Sequence, residues 1–159
     1  MTDAERYMRL ALAQATKAGD RGEVPIGAVV VSGGKVLGRG YNRLIGQNDP
    51  TAHAEIEAIR RACRRRKNYR LTDCDLYVTL EPCPMCLGAV VQARLRQVVY
   101  GALDPKAGAV TSVMKFPFEK LNHRPEVKGG LLAEECGLVL KDFFRPKRKK
   151  RSAERWPSG

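Results

Sequence analysis

A short apolar run that leads into a proline-flanked pair of cysteines constrains the fold of this chain more than any other feature. Residues 76–80 have the length and apolar character of a buried strand, and a proline at position 82 favours a helix directly after it. The helix is predicted over residues 83–95, and residues 97–100, of which the last three are apolar, follow as a further strand. A strand, a helix and a strand in this order predict a parallel strand pair joined by a right-handed crossover.

The first part of the chain predicts a helix followed by a β-hairpin. Thr2 and Glu5 form a capping box ahead of apolar residues at helical spacing. Residues 25–31 are a short apolar run, which is typical of a strand covered on both faces. Gly33 and Gly34 then provide a two-residue turn into a second strand. The sheet is therefore expected to begin with antiparallel pairing.

The remainder of the chain predicts one more helix and a polar end. Residues 104–108 form a turn-rich loop after a strand, a place where open α/β sheets usually bind ligands. Residues 115–128 are interpreted as loop with one short strand, because prolines interrupt them. A final helix is expected to stop at Pro146. This leaves one domain over residues 1–145 and a basic, disordered tail over residues 146–159.

The strongly basic composition favours a polyanionic partner. The chain has 29 Lys and Arg against 17 Asp and Glu, a formal net charge of +12, and a sequence pI near 9.8. A domain with this charge points to nucleic acid, although a basic surface that only maintains solubility has the same composition. Two basic clusters leave both interpretations open, since residues 64–67 also complement a helix dipole and residues 147–151 also suit a solvated end.

The cysteine content and the N-terminus predict a reduced, cytoplasmic location away from membranes. The chain has 5 cysteines, an odd number, and its mildly acidic first residues do not resemble a secretion signal. No run approaches the ~18 apolar residues that are needed to cross a bilayer. The CxxC pair is therefore interpreted as metal ligands and not as a disulfide.

The cysteine pair and a distant histidine predict a catalytic zinc site. Cys83 and Cys86 share a helix face because they are three residues apart. His53, expected at the start of another helix, is the third ligand, which leaves a fourth position on the metal for water. Glu55 then has no metal to ligate and is predicted to move protons to and from that water.

These residues also have two less specific interpretations, a structural zinc site and an ordinary core histidine. A structural zinc needs a fourth protein ligand, and the remaining cysteines and His123 do not form a second paired motif. A lone histidine is more often a core residue, but here the cysteine pair would otherwise lack a third ligand. His53 and Glu55 lie about 200° apart around a regular helix. They can serve one site only if the metal lies over the end of the helix, not on its flank.

The histidine and cysteine motifs resemble those of the zinc nucleoside and nucleotide deaminases, whose signature pairs His-x-Glu with Pro-Cys-x-x-Cys. The resemblance extends to the bacterial tRNA-specific adenosine deaminases over most of residues 1–145. The matching segments are Glu-Val-Pro-Ile-Gly-Ala at 23–28, Asn-Asp-Pro-Thr-Ala-His-Ala-Glu-Ile at 48–56, Thr-Leu-Glu-Pro-Cys at 79–83, Asp-Pro-Lys-Ala-Gly-Ala at 104–109, Asn-His-Arg at 122–124 and Phe-Phe-Arg at 143–145.

The resemblance implies a three-layer α/β/α sandwich with a central five-stranded mixed sheet, assembled as a homodimer. It implies deamination of adenosine to inosine at the wobble position of a tRNA anticodon, with one Zn²⁺ per subunit. The residues with implied roles are His53, Cys83 and Cys86 as zinc ligands, Glu55 as proton shuttle, and Asn42, Asp104, Asn122 and Arg145 as contacts to the anticodon stem-loop.

Two other functions stay open at this stage. A deaminase of a free base or nucleotide, such as guanine or dCMP, would use the same zinc chemistry but has no need of so basic a surface. A non-catalytic RNA-binding protein that holds zinc structurally would have no use for Glu55.

Overall fold

The computed structural model describes residues 1–154, with side chains over residues 1–145. The helices are α1 (Asp3–Asp20), α2 (Leu44–Gln47), α3 (Ala54–Arg66), α4 (Pro84–Ala93) and α5 (Ala133–Glu154), with a 3-10 helix at Phe118–Lys120. The strands are β1 (Gly27–Ser32), β2 (Lys35–Tyr41), β3 (Asp75–Leu80), β4 (Gln97–Ala102) and β5 (Glu126–Lys128).

The strands form one mixed sheet of 5 strands in the order β2-β1-β3-β4-β5. β1 pairs antiparallel with both β2 and β3, whereas β4 pairs parallel with β3 and β5. The predicted hairpin and the predicted parallel crossover through α4 are both confirmed. The short strand expected within residues 115–128 is β5.

Helices cover both faces of the sheet, which confirms the three-layer sandwich. On one face Ala28 and Val30 of β1 pack in a cluster with α3 and α4. On the other face Val29 and Val31 of the same strand pack with α1 and with Cys136 of α5. Because consecutive side chains of β1 point to opposite layers, residues 28–31 are all apolar instead of alternating with polar residues.

Glycines allow helices to lie unusually close to the hairpin. A Cβ at Gly40 of β2 would collide with the carbonyl oxygen of Ala54, the first residue of α3. A Cβ at Gly27 would likewise collide with the carbonyl oxygen of Ala11 in α1. The contact at Gly40 places the N-terminus of α3 directly over the sheet.

The structure differs from the sequence-based prediction in two elements. α2 lies within a segment that reads as a polar loop, because four residues are too few to show a periodic pattern. α5 runs to Glu154, so the prediction that Pro146 stops the helix is wrong. A proline removes one backbone donor and strains one turn, and these costs can be outweighed within a longer helix.

The sequence predicts a disordered tail over residues 146–159; residues 146–154 belong to α5, and residues 155–159 lie outside the described part of the chain. Within that part, no helix combines the length and the apolarity needed to cross a bilayer.

Candidate metal and active site

Three potential metal ligands converge where two helices begin. His53 occupies the N-cap of α3, Cys83 occupies the N-cap of α4, and Cys86 lies in the first turn of α4. The Nδ1 atom of His53 is 3.6 Å from Sγ of Cys83 and 3.5 Å from Sγ of Cys86. Among the described residues, this is the group of His, Cys, Asp and Glu side chains that could hold a metal ion. The structure therefore brings together the three residues that the sequence motifs single out.

The positions of these residues meet the geometric demand set by the His-x-Glu spacing. Because His53 is the N-cap, its imidazole lies at the end of α3 and not on the flank of the helix. Helix N-termini carry partial positive charge, which favours thiolates. The N-termini of α3 and α4 both lie at the three potential metal ligands, so their partial positive charges stabilise anionic cysteine ligands.

The two thiols differ in their readiness to ionise. The pKa of Cys83 falls to about 4, because the Cys86 thiol donates a hydrogen bond to its sulfur and His53 stabilises the same charge. The pKa of Cys86 rises, because it donates to Cys83 and because it is buried. The hydrogen bond to Cys83 in turn raises the pKa of His53. Cys83 is therefore the thiol that ionises more readily, and a thiolate is the form of cysteine that binds a metal.

Glu55 is buried beside the three ligands. Only 4% of its surface is exposed. Burial raises the pKa of its carboxyl group, the nearby charge of Cys83 raises it further, and His53 and a hydrogen bond with Cys86 oppose the rise. A carboxyl group in this environment can hold a proton at a pH where an exposed glutamate would have lost it.

A cleft of about 550 Å³ opens over this group. Its walls come from the metal-ligand region, from the loop after β4 and from one face of α5. The residues around it include Asn42, His53, Glu55, Cys83, Leu103, Asp104, Pro105, Lys106, Ala107, Leu140, Lys141 and Phe144. A volume of this size accommodates a nucleotide-sized ligand.

The four predicted substrate contacts fall into two groups. Asn42 and Asp104 line the cleft. Asn122 is not among the lining residues and accepts a 2.8 Å hydrogen bond from Arg94. Arg145 is exposed, lies 3.6 Å from Asp142, and follows the lining residue Phe144. The structure brings the first two to the metal-ligand group and places the other two outside the cleft.

Several cleft residues were missed by the sequence reading. Lys106 lies with its Nζ 5.8 Å from the centre of the Phe144 ring, so the loop after β4 and α5 meet across the cleft. Glu81 lines the cleft and Glu23 directly precedes the lining residue Val24. Both are buried acids: Glu81 accepts hydrogen bonds from backbone N–H groups of the loop after β4, and Glu23 accepts them from backbone N–H groups of α2. Their partners lie more than 20 residues away in sequence, and local patterns carry no signal for such contacts.

The basic cluster at the end of α3 is partly occupied by contacts within the fold. Arg65 donates to the carbonyl oxygen of Val36, and Arg66 pairs with Asp73 at 2.7 Å. The cluster lies at the C-terminus of α3, whereas His53 lies at its N-terminus. These contacts support a structural role for Arg65 and Arg66.

Residues 2–148 match the model of the family described as MafB19-like deaminase. A tRNA-specific adenosine deaminase of Bacillus subtilis (strain 168) is 48% identical to the chain over 156 residues, which is 98% of this chain and 97% of that protein.

Two solved structures are similar as well. One comes from work on A-to-I editing by tRNA:A34 deaminases at the wobble position of transfer RNA. It has a TM-score of 0.80 at 49% identity and covers 85% of this chain and 99% of that chain. The other is a guanine deaminase from Bacillus subtilis, with a TM-score of 0.61 at 32% identity and 93% of each chain covered.

Proposed function

Since the chain belongs to the MafB19-like deaminases and, among them, to the tRNA-specific adenosine deaminases, we propose that it converts adenosine to inosine at the wobble position of a tRNA anticodon. The reaction is a hydrolysis that replaces the amino group on C6 of adenine by oxygen from water. The observation that carries the proposal is the group of His53, Cys83 and Cys86, with Glu55 buried beside it and a cleft above it.

Zinc fits the three ligands. Bond lengths of about 2.3 Å to sulfur and about 2.0–2.1 Å to nitrogen set the N···S separations of a tetrahedral site at ~3.6 Å. The corresponding separations here are 3.6 Å and 3.5 Å, with Nδ1 as the imidazole donor. One imidazole and two thiolates would leave one ligand position of a bound zinc for water, and both His53 and Cys83 line the cleft. When bound, zinc would lower the pKa of a coordinated water to about 7 and so supply a nucleophile at neutral pH.

Glu55 moves the protons. Its carboxylate accepts a proton from the attacking water and delivers it to the adenine ring nitrogen next to C6 as the C–O bond forms. The same carboxylate then transfers the second proton of the oxygen to the amine, and the C–N bond breaks to release ammonia. The protons balance, because one proton of the water ends on the ring nitrogen, the other leaves with the ammonia, and the oxygen stays on the base. Burial favours this role because it keeps bulk water from competing for the protons.

The cleft walls hold the flipped nucleotide. Asn42 contributes an amide and Asp104 a carboxylate to the lining of the cleft, and both groups can form hydrogen bonds with a base or ribose. Phe144 adds an aromatic ring to the lining, on which an unstacked base can lie. Asn122 and Arg145 remain proposed contacts for nucleotides that extend beyond the cleft.

The partner is the anticodon stem-loop of a tRNA, and the enzyme acts as a homodimer in the cytoplasm. The net charge of +12 supports an RNA substrate, because a polyanion gains affinity from many phosphate contacts. The site lies at the helix ends and loops of one sheet edge, where an extended stem-loop can approach.

Incubation of purified, zinc-loaded protein with a tRNA pool, followed by sequencing for wobble adenosines read as guanosine, tests the proposal. Glu55→Gln is the control that retains the fold and the ligands. Release of ammonia from free guanine or dCMP, without change in any tRNA, would replace this function by that of a free-base or nucleotide deaminase. Absence of turnover on every substrate, with zinc bound, would leave a non-catalytic RNA-binding protein.

A further inference from the structure

Glu81 is an almost fully buried carboxylate at the junction of the ligand segment and the cleft loop. It follows β3 directly, precedes the ligand Cys83 by two residues, and is 2% exposed. Its own N–H donates to the carbonyl oxygen of Ala102 at the end of β4. A buried charge is strongly destabilising unless hydrogen bonds satisfy it, so the partners of this carboxylate are informative.

The partners all come from one loop. Oε1 accepts from the backbone N–H of Asp104 at 3.1 Å and from the hydroxyl group of Ser112. Oε2 accepts from the backbone N–H groups of Val110, Thr111 and Ser112 at 3.0, 2.9 and 3.1 Å. Both ends of the loop of residues 104–112 are therefore tied to one side chain.

The same loop is shaped to fit around the carboxylate. Gly108 packs against it so closely that a Cβ there would collide with the carboxylate carbon and both oxygens. The next residue, Ala109, donates its N–H to the carbonyl oxygen of Pro82 at 2.8 Å. The loop thus contacts both the side chain of Glu81 and the backbone that leads into Cys83.

The loop held in this way forms one wall of the cleft. Residues 103–107 line it, and they include the proposed substrate contact Asp104. Lys106 reaches across to Phe144 on the opposite wall. Glu81 joins this wall to the segment that carries the metal ligand Cys83. It therefore sets the position of the wall relative to the metal ligands.

We propose that Glu81 is a positioning residue for substrate binding: its carboxylate holds residues 104–112 in register with the metal ligands and so sets the affinity for the substrate nucleotide. The inference rests on the proposed function. Glu81 lines the cleft, but both of its carboxylate oxygens already accept hydrogen bonds from the loop, so its effect on the reaction passes through the loop.

Glu81→Gln tests the proposal with little change in volume. The five donors converge on the two carboxylate oxygens, so an amide group must turn its own N–H groups toward at least two of them. We expect KM for an anticodon stem-loop to rise roughly 10- to 100-fold, the cost of charge-assisted hydrogen bonds lost to the loop. We expect kcat to stay within about threefold and zinc to remain at one per chain, because the ligands and Glu55 are intact. Glu134→Gln, an exposed glutamate in α5, is the matched control and should change neither constant.

Three further measurements separate positioning from a merely structural role. Hydrogen exchange of the amides of residues 104 and 110–112 should accelerate in Glu81→Gln while amides of α4 keep their protection. Asp104→Ala should raise KM less in the Glu81→Gln background than in the wild type, because both changes act through the same loop. If Glu81→Gln does not fold, Ser112→Ala removes a single donor and should raise KM in the same direction by a smaller factor.

An unchanged KM, or a lower kcat with unchanged KM, would overturn the proposal. So would additive effects of Asp104→Ala and Glu81→Gln on KM. Failure of the wild-type protein to deaminate any tRNA would instead contradict the proposed function. The exchange experiment still reports on the loop in that case, so the two failures are distinguishable.

Discussion

The side-chain oxygen of Asn42 lies 2.8 Å from the backbone nitrogen of Ala54, the first residue of α3. Through this hydrogen bond Asn42, which lies outside the helix, caps the N-terminus of α3 as the side chain of an N-cap residue normally does. His53 occupies the N-cap position but makes no side-chain capping bond, because its imidazole faces the two cysteines. Asn42 therefore satisfies a buried donor that the metal ligand cannot satisfy.

Asn42→Ala and Asn42→Asp should separate the capping role of this residue from its substrate role. Asn42→Ala removes the acceptor and should lower the free energy of unfolding by about 1–2 kcal/mol. Asn42→Asp keeps an acceptor at a helix N-terminus, where negative charge is favourable, and should lose less stability. Both variants lack the amide donor, so both should lose activity. Thermal unfolding and steady-state rates measure the two effects, and equal destabilisation by both variants would contradict the capping role.

Glu55→Gln should abolish deamination while zinc stays bound. The amide cannot accept or deliver a proton, and loss of a positioned acid–base group lowers kcat by roughly 10²–10⁴-fold. Glu57→Gln is the control, since Glu57 is also buried in the first turn of α3 but does not line the cleft. Zinc content by metal analysis and product formation on tRNA give the result. Loss of the metal from Glu55→Gln would count against the assignment of Glu55 as a residue that binds no metal.

The metal ligands could be predicted because residue type and spacing alone point to them. Two thiols at a helix start and one imidazole at another are soft or borderline ligands, and the apolar runs around them predict the strands that precede the helices. His53 is the N-cap of α3, and the start of this helix lies against the sheet because Gly40 closely approaches the carbonyl oxygen of Ala54. That contact depends on the packing of two elements, which no local pattern encodes.

The walls of the cleft could not be predicted in the same way. Glu81 reads as an ordinary residue between a strand and a proline, and its five hydrogen-bond donors come from residues 104–112. α5 contributes Phe144 to the cleft through its docking on the sheet, which sequence alone does not specify. The cost of a proline inside a helix predicted that α5 would end at Pro146, but the helix continues past this residue.

Removal of the metal should destabilise the fold. A ligand that binds only the folded state adds about 4 kcal/mol of stability when present at 1,000 times its dissociation constant. Cys83→Ala should therefore lower the unfolding temperature and abolish zinc binding, and a chelator should lower the unfolding temperature of the wild type in the same way. Cys63→Ala, a half-buried thiol outside the site, should keep one zinc per chain. An unfolding temperature that is insensitive to the chelator would contradict a tightly bound metal.

Gly40→Ala should be strongly destabilising, because its Cβ meets the backbone of α3 at the residue next to His53. Overpacking of this kind costs about 1–3 kcal/mol, and here the displaced element carries a metal ligand. Gly137→Ala makes the same chemical change in α5, where a Cβ meets no atom within 4 Å. It should be neutral or stabilising by up to about 1 kcal/mol. Chemical denaturation of both variants measures the change in the free energy of unfolding. Equal changes in the two variants would contradict the close contact at Gly40.

Binding of the anticodon stem-loop should weaken steeply with salt. Each phosphate that the protein neutralises releases counterions, so the logarithm of the binding constant should fall linearly with the logarithm of the salt concentration. The Glu55→Gln variant allows the measurement without turnover, for example by fluorescence anisotropy between about 50 and 200 mM salt. A free purine base makes no phosphate contacts and serves as the control, and its affinity should change little over this range. A flat salt dependence for the stem-loop would mean that the net charge of +12 does not serve RNA binding, and it would favour a small-molecule substrate.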